Sequence, residues 1–120
     1  MKATWSTANK QELLLLEGIS VLVDRRKDLL EFLMDPAQPR LRKRAGILRE
    51  DCWGFSHGEI LLVQAALDFW SGSGHLAFWE CLETWDDENW IRFIAAIGIV
   101  KGLDLRAAVE LQASKTALGT

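Results

Sequence analysis

Tyrosine is missing from this 120-residue chain, and cysteine, proline and histidine occur only twice each. Two cysteines, Cys52 and Cys81, are too few for the disulfide framework of a small secreted domain. The prolines, at 36 and 39, are confined to one place, so the backbone elsewhere is free to form uninterrupted helices. The lack of tyrosine, with Leu, Ala and Glu dominating the periodic segments, speaks against a sheet. Long apolar runs are absent too. The best of them, Leu13 to Leu16 and Ile60 to Ala66, are interrupted by Glu17, Gln64 and Asp68, well short of the roughly 20 residues that cross a bilayer. The opening residues MKATWSTANK show no charged-then-apolar signal pattern, so the expected location is a reducing cytoplasm without membrane insertion. Positive charge is in deficit as well. A net charge of −3 excludes a surface built as a whole for nucleic acid or anionic lipid, and any basic site must be local.

The chain does have apolar residues, 49% of its length, enough for a core without disulfides or metal. Their periodicity predicts an all-α fold: one domain over residues 1–120, an irregular bundle of five or six helices, with a basic linker near 35–50 and a frayed C-terminal tail. Asn9 and Glu12 form a capping-box pair that opens the first helix. Leu15, Ile19, Leu22, Leu29 and Leu33 share one face of it, with Arg26 as the sole charged intruder. Run unbroken to Met34, this helix would be about 38 Å long, too long for so small a domain, so it bends at the charged stretch 24–28 or projects and pairs.

Ser56 and Glu59 form the clearest capping box, starting a helix that ends at Ser71 before Gly72 and is apolar almost all round. A shorter helix from about His75 to Thr84 should turn Leu76, Trp79 and Leu82 inward. Asp86 or Asp87 then caps a second nearly apolar helix, Glu88 to Lys101, ended by Gly102. The two apolar helices are expected at the centre, with Leu67 and Ile94 in the core. A last amphipathic helix, capped by Asp104 and carrying Leu105, Ala108, Val109 and Leu111, precedes a polar tail after Ser114.

Cys52, His57, His75 and Cys81 make a legitimate zinc set by residue type. His75 and Cys81 are six apart, however, about 120° round a helix, and no metal or other cofactor is expected. His57, Asp68, Glu80, Glu83 and Asp86 offer acid and base groups for a hydrolase, but no nucleophile elbow, phosphate-cradling loop or paired histidine motif accompanies them. Gly-Ser-Gly at 72–74 reads as helix punctuation.

Two features remain. Trp53, Trp70, Trp79, Trp85 and Trp90 fall within a short span, and of these Trp53 and Trp85 sit between helices, where a large ring looks outward for a partner. Charge is also segregated. Arg40, Arg42, Lys43, Arg44 and Arg49 occupy residues 40–49 without an acid, so removing those five charges from −3 leaves the rest of the chain at −8. Glu80, Glu83, Asp86, Asp87 and Glu88 occupy 80–89 without a base. Docking of one window on the other, within a chain or across a dimer, is the simplest account.

The favoured function is a non-enzymatic protein-interaction module, an adaptor or regulator, forming a homodimer with Leu15, Ile19 and Leu22 in the contact. The alternative is a nucleic-acid-associated regulator using residues 40–49. A small hydrolase or zinc protein ranks third.

Overall fold

Reciprocal capping boxes frame the two ends of the amino-terminal half. The computed structural model describes residues 5–104 together with Arg106 and Glu110. Within them the order is α1 (Lys10–Leu22), α2 (Lys27–Leu33), α3 (Ala45–Asp51), a 3-10 turn (Cys52–Gly54), α4 (His57–Ser71), α5 (Phe78–Thr84) and α6 (Asp87–Lys101). Strand pairing among the described residues is limited to an isolated antiparallel bridge, Met34 to Leu41. The all-α bundle is therefore what the periodicity predicted.

Asn9 Oδ1 accepts from the Glu12 amide at 2.8 Å while Glu12 Oε1 accepts from the Asn9 amide at 2.9 Å, which satisfies two donors that the first turn of α1 leaves open. Ser56 and Glu59 do the same for α4. The long first helix breaks where charge interrupts the apolar stripe. Asp24 and Arg25 take left-handed φ of 57° and 53°, the Arg25 amide bonds back to the Ser20 carbonyl at 2.7 Å, and the Asp24 amide to Val21 at 3.0 Å. That is a Schellman ending with Asp, one of the residues that tolerates the left-handed region, in the place of glycine. The break turns Arg26 off the stripe toward Asp28 and Glu59.

Helix α4 lies at the centre as expected, with Leu61, Val63, Ala65, Ala66 and Leu67 wholly buried. The most extensive helix contact is between α1 and α6. Gly18 makes it close, because a Cβ there would overlap the Val100 side chain and stand 3.2 Å from the Ala96 carbonyl oxygen. Trp5, for which no sequence pattern spoke, is buried: its indole N–H donates to the Asp35 carbonyl at 2.7 Å and its ring meets Trp70 edge-on at 5.8 Å.

Four expectations need correction. α6 is not central on all sides: Phe93, Ala96 and Gly98 are buried, but Ile91, Ile94 and Ile97 face outward. α5 starts only at Phe78, His75 standing before it with a left-handed φ of 54°, and Cys81 rather than Trp79 or Leu82 points inward. Ile19 and Leu22 are fully enclosed within the chain by α4 and α6, so they cannot supply a dimer contact.

Gly-Ser-Gly at 72–74 is more than punctuation. Gly72 does take the left-handed position after α4, but a Cβ on Gly74 would overlap the Gln64 carbonyl oxygen and lie 2.8 Å from the Asp68 amide nitrogen. Asp68 holds this segment against α4, its two carboxylate oxygens accepting from the Gly74 and Leu76 amides at 2.8 and 2.9 Å. Leu105, Ala108, Val109, Leu111 and the tail after Ser114 lie outside the described residues.

These packing differences predict three distinct stability losses. Leu67→Ala should cost roughly 2 to 5 kcal/mol, and Gly74→Ala about 1 to 3 kcal/mol because the obstruction is backbone that cannot rotate away. Ile94→Ala should cost under about 1 kcal/mol. Urea unfolding of the three variants, at concentrations low enough to keep the chain monomeric, checks the ranking; a loss at Ile94 equal to that at Leu67 would contradict the outward placement of the α6 isoleucines.

Candidate interaction surface

The α5–α6 corner is organised by a buried indole. Asp86 caps α6 by accepting from the Asn89 amide at 2.8 Å, and the preceding Trp85, only 6% exposed, donates its N–H to the Gly58 carbonyl at 3.1 Å. Its ring packs against Trp90 and Phe93 at 5.4 Å each, and Phe69 stacks on Phe93 at 5.8 Å. The placement of Trp85 between helices suggested an outward ring; the structure corrects this, since the short turn folds it back into the core, where both its apolar body and its N–H are satisfied.

What that corner turns outward was not foreseen. On α5, Trp79 is 71% exposed, Phe78 53% and Leu82 50%; on α6, Ile91 is 66% exposed, Ile94 52% and Ile97 38%. The two groups meet where Phe78 touches the half-buried Trp90 edge-on at 5.6 Å. Three isoleucines, a tryptophan, a phenylalanine and a leucine on one surface form a patch of the kind that monomers seldom leave uncovered. The signal available in sequence was the apolar content of α6 on every side; periodicity alone did not say which side the rest of the chain would cover. Exposed acids, Asp86, Asp87 and Glu88, ring the first turn of α6, and Lys101 closes its last. Among the described residues neither Asp87 nor Lys101 makes an ion pair.

The oppositely charged windows do not dock on one another. Arg40 Nε pairs with Asp35 at 3.0 Å, Lys43 with Asp51 at 3.2 Å, and Arg49 donates to the Ser73 carbonyl. On the acidic side Glu88 approaches Arg92 at 3.8 Å and Glu80 approaches His57 at 3.5 Å. Arg40 and Lys43 have each found a local acid, which is less costly in side-chain entropy than a distant one. Asp35 also accepts from the Ala37 and Gln38 amides at 2.8 and 2.9 Å, so the linker is an ordered turn, and these bonds, with Arg40, hold its carboxyl below the usual range. Arg42 and Arg44 are exposed and, among the described residues, unpaired. Trp53, beyond the other end of α3, is 87% exposed and borders a cleft of about 310 Å³ with Arg49, Cys52 and Ile60.

The residues considered for zinc do not gather: among the described residues no three of His, Cys, Asp or Glu are placed to hold a metal ion. Cys52 and Cys81 are buried and free, while His57 and His75 are exposed. Of the acid and base set the structure brings His57 and Glu80 together, at 3.5 Å and both exposed, while Asp68 is committed to Gly74 and Leu76 and Asp86 to its cap.

A second cavity of about 250 Å³ lies where α1 ends and α4 and α6 begin, with Asp24, Arg26, Glu59 and Arg92 around it. Arg26 there bonds Glu59 and Asp28, and Arg92 bonds Asn89 Oδ1 at 2.6 Å and approaches Glu88 at 3.8 Å and Asp24 at 4.0 Å, its buried Nε having no hydrogen-bond partner among the described residues. Burial pushes the Cys81 thiol up to about 11, and Cys52 upward in the same sense, away from the thiolate that a nucleophile or metal ligand needs.

Among described residues no helix is long and apolar enough to cross a membrane. The chain matches no protein-family model, no curated protein and no solved structure.

Both thiols should therefore resist modification in the folded state. With the Cys81 thiol raised to about 11, its thiolate fraction at pH 8 is about one in a thousand. An aromatic disulfide reagent should react with neither cysteine on the timescale of minutes and with both in guanidinium; rapid native reaction at Cys81 would contradict its burial.

Proposed function

We propose that this protein is a non-enzymatic interaction module, an adaptor or regulator, that works as a homodimer through the outer face of α5 and α6. One observation carries the reading: Trp79, Phe78, Leu82, Ile91 and Ile94 are exposed together on adjoining helices whose inner faces are well packed. Aromatic and aliphatic side chains held on rigid helices lose little freedom on association and gain their full burial, which is how interface anchors act. The commitment of Asp68 and Asp86 to backbone amides supports a binding role over catalysis. The two free, buried thiols suit a reducing cytoplasm.

Sedimentation equilibrium at micromolar concentration should give about twice 13.6 kDa. The double variant Trp79→Ala/Ile94→Asp should shift the equilibrium toward monomer by about tenfold or more, while leaving the urea midpoint nearly unchanged at concentrations low enough to keep both proteins monomeric, since within one chain both side chains face water. A parent mass of 13.6 kDa at every concentration would refute the homodimer.

A second function is favoured by the unpaired Arg42 and Arg44 and the outward Trp53, which flank α3. Guanidinium groups on phosphates and an indole beneath a base are the elements of single-strand nucleic-acid binding. Fluorescence anisotropy with a labelled oligonucleotide should then show a steep salt dependence, and Arg42→Glu/Arg44→Glu should reduce the slope by about two units without moving the melt. Absence of binding at low salt would exclude it.

A further inference from the structure

The exposed stripe of α6 is self-complementary. Asp87, Ile91, Ile94, Ile97 and Lys101 are all exposed and follow one another at spacings of four, three, three and four, so they lie along one side of the helix. The order is acid, three isoleucines, base, and it is symmetric about Ile94: Asp87 and Lys101 stand seven residues to either side, Ile91 and Ile97 three. We infer that a second copy of this chain pairs antiparallel on α6 about a two-fold axis at Ile94, so that Asp87 of each copy meets Lys101 of the other. This rests on the homodimeric reading above and adds its geometry.

A two-fold interface requires that if one residue meets another across it, the reverse contact also forms. In the antiparallel register Ile94 meets its own copy, Ile91 meets Ile97 twice over, and both charged ends are matched. Parallel pairing would set Asp87 against Asp87 and Lys101 against Lys101. Helix dipoles favour the same choice, because the partially positive start of one α6 then lies against the partially negative end of the other. The branched isoleucines have few rotamers to lose on burial. A stable dimer covers about 800 Å² per partner, more than three half-exposed isoleucines supply. The α5 residues Phe78, Trp79 and Leu82, beside the first turns of α6, widen the contact over the second copy's last turns.

The register is tested by cysteine pairing and charge exchange in the full chain. Ile94→Cys should form a disulfide-linked dimer on mild oxidation, because only a residue at the axis meets itself. Ile91→Cys or Ile97→Cys alone should not, although a mixture of the two should. The exposed Ile47→Cys serves as the control for random collision, and the native thiols are buried. Lys101→Asp should raise the dissociation constant about tenfold, since two attractions become repulsions, and adding Asp87→Lys should return it to within about threefold of the parent.

A dimeric mass with no cross-link at Ile94→Cys and no rescue by the double exchange overturns this register while the homodimer stands. A monomeric mass at all concentrations overturns both. In that case slow labelling of the new thiol means that residues 105–120 of the same chain cover the face, and fast labelling means that it is open to a different protein.

Discussion

At Gly18, helices α1 and α6 come so close that one added methyl group would collide with Val100, and the orientation of everything in α6 follows from that approach. The helices run antiparallel, Gly18 lying by Ala96 and Val100 and Asp24 approaching Arg92 at 4.0 Å near the other end. With Ala96 committed to α1 and Phe93 to the Trp85 cluster, the isoleucines at 91, 94 and 97 are left on the far side. A larger residue at position 18 would move or rotate α6 and with it the whole outer face. Structural glycine and exposed isoleucine are thus parts of one arrangement.

The second organising element is the set of buried indoles with a single polar atom each to satisfy. Trp5 ties the amino-terminal residues to the turn after α2, and Trp85 ties the start of α6 to the start of α4. In both cases the acceptor is a backbone carbonyl, so a ring that fills volume also sets a position to within a hydrogen-bond length. That the aromatic residues divide into such pins and into the exposed Trp53 and Trp79 separates holding the fold from meeting a partner.

The capped helix boundaries were legible because they depend on neighbours within four residues. Asn9 with Glu12, Ser56 with Glu59, and the glycines at 72 and 102 each satisfy backbone groups of their own helix, and the geometry matches the chemistry of those residues. The charged stretch 24–28 likewise marked the break, since a buried stripe cannot accept it. Charge segregation misled for a related reason. A window count ignores that Lys43 can reach Asp51 and Arg40 can reach Asp35 at the cost of ordering only a few residues, which leaves the windows with no need of each other.

Sequence by itself determined the all-α class, the capped helices and the centrality of α4, and it narrowed the first helix to a bend or a projection, since these rest on local hydrogen bonding and on one apolar stripe per helix. Tertiary structure alone decided that Trp85 turns in and Trp79 out, that Gly74 must be glycine, that Trp5 belongs to the core, and that Ile91, Ile94 and Ile97 stay uncovered. An apolar residue states only that water is an unfavourable neighbour. Which surface replaces the water depends on how closely distant helices approach, and here that distance is set by Gly18 on α1 and Ala96 on α6, nearly eighty residues apart in the chain.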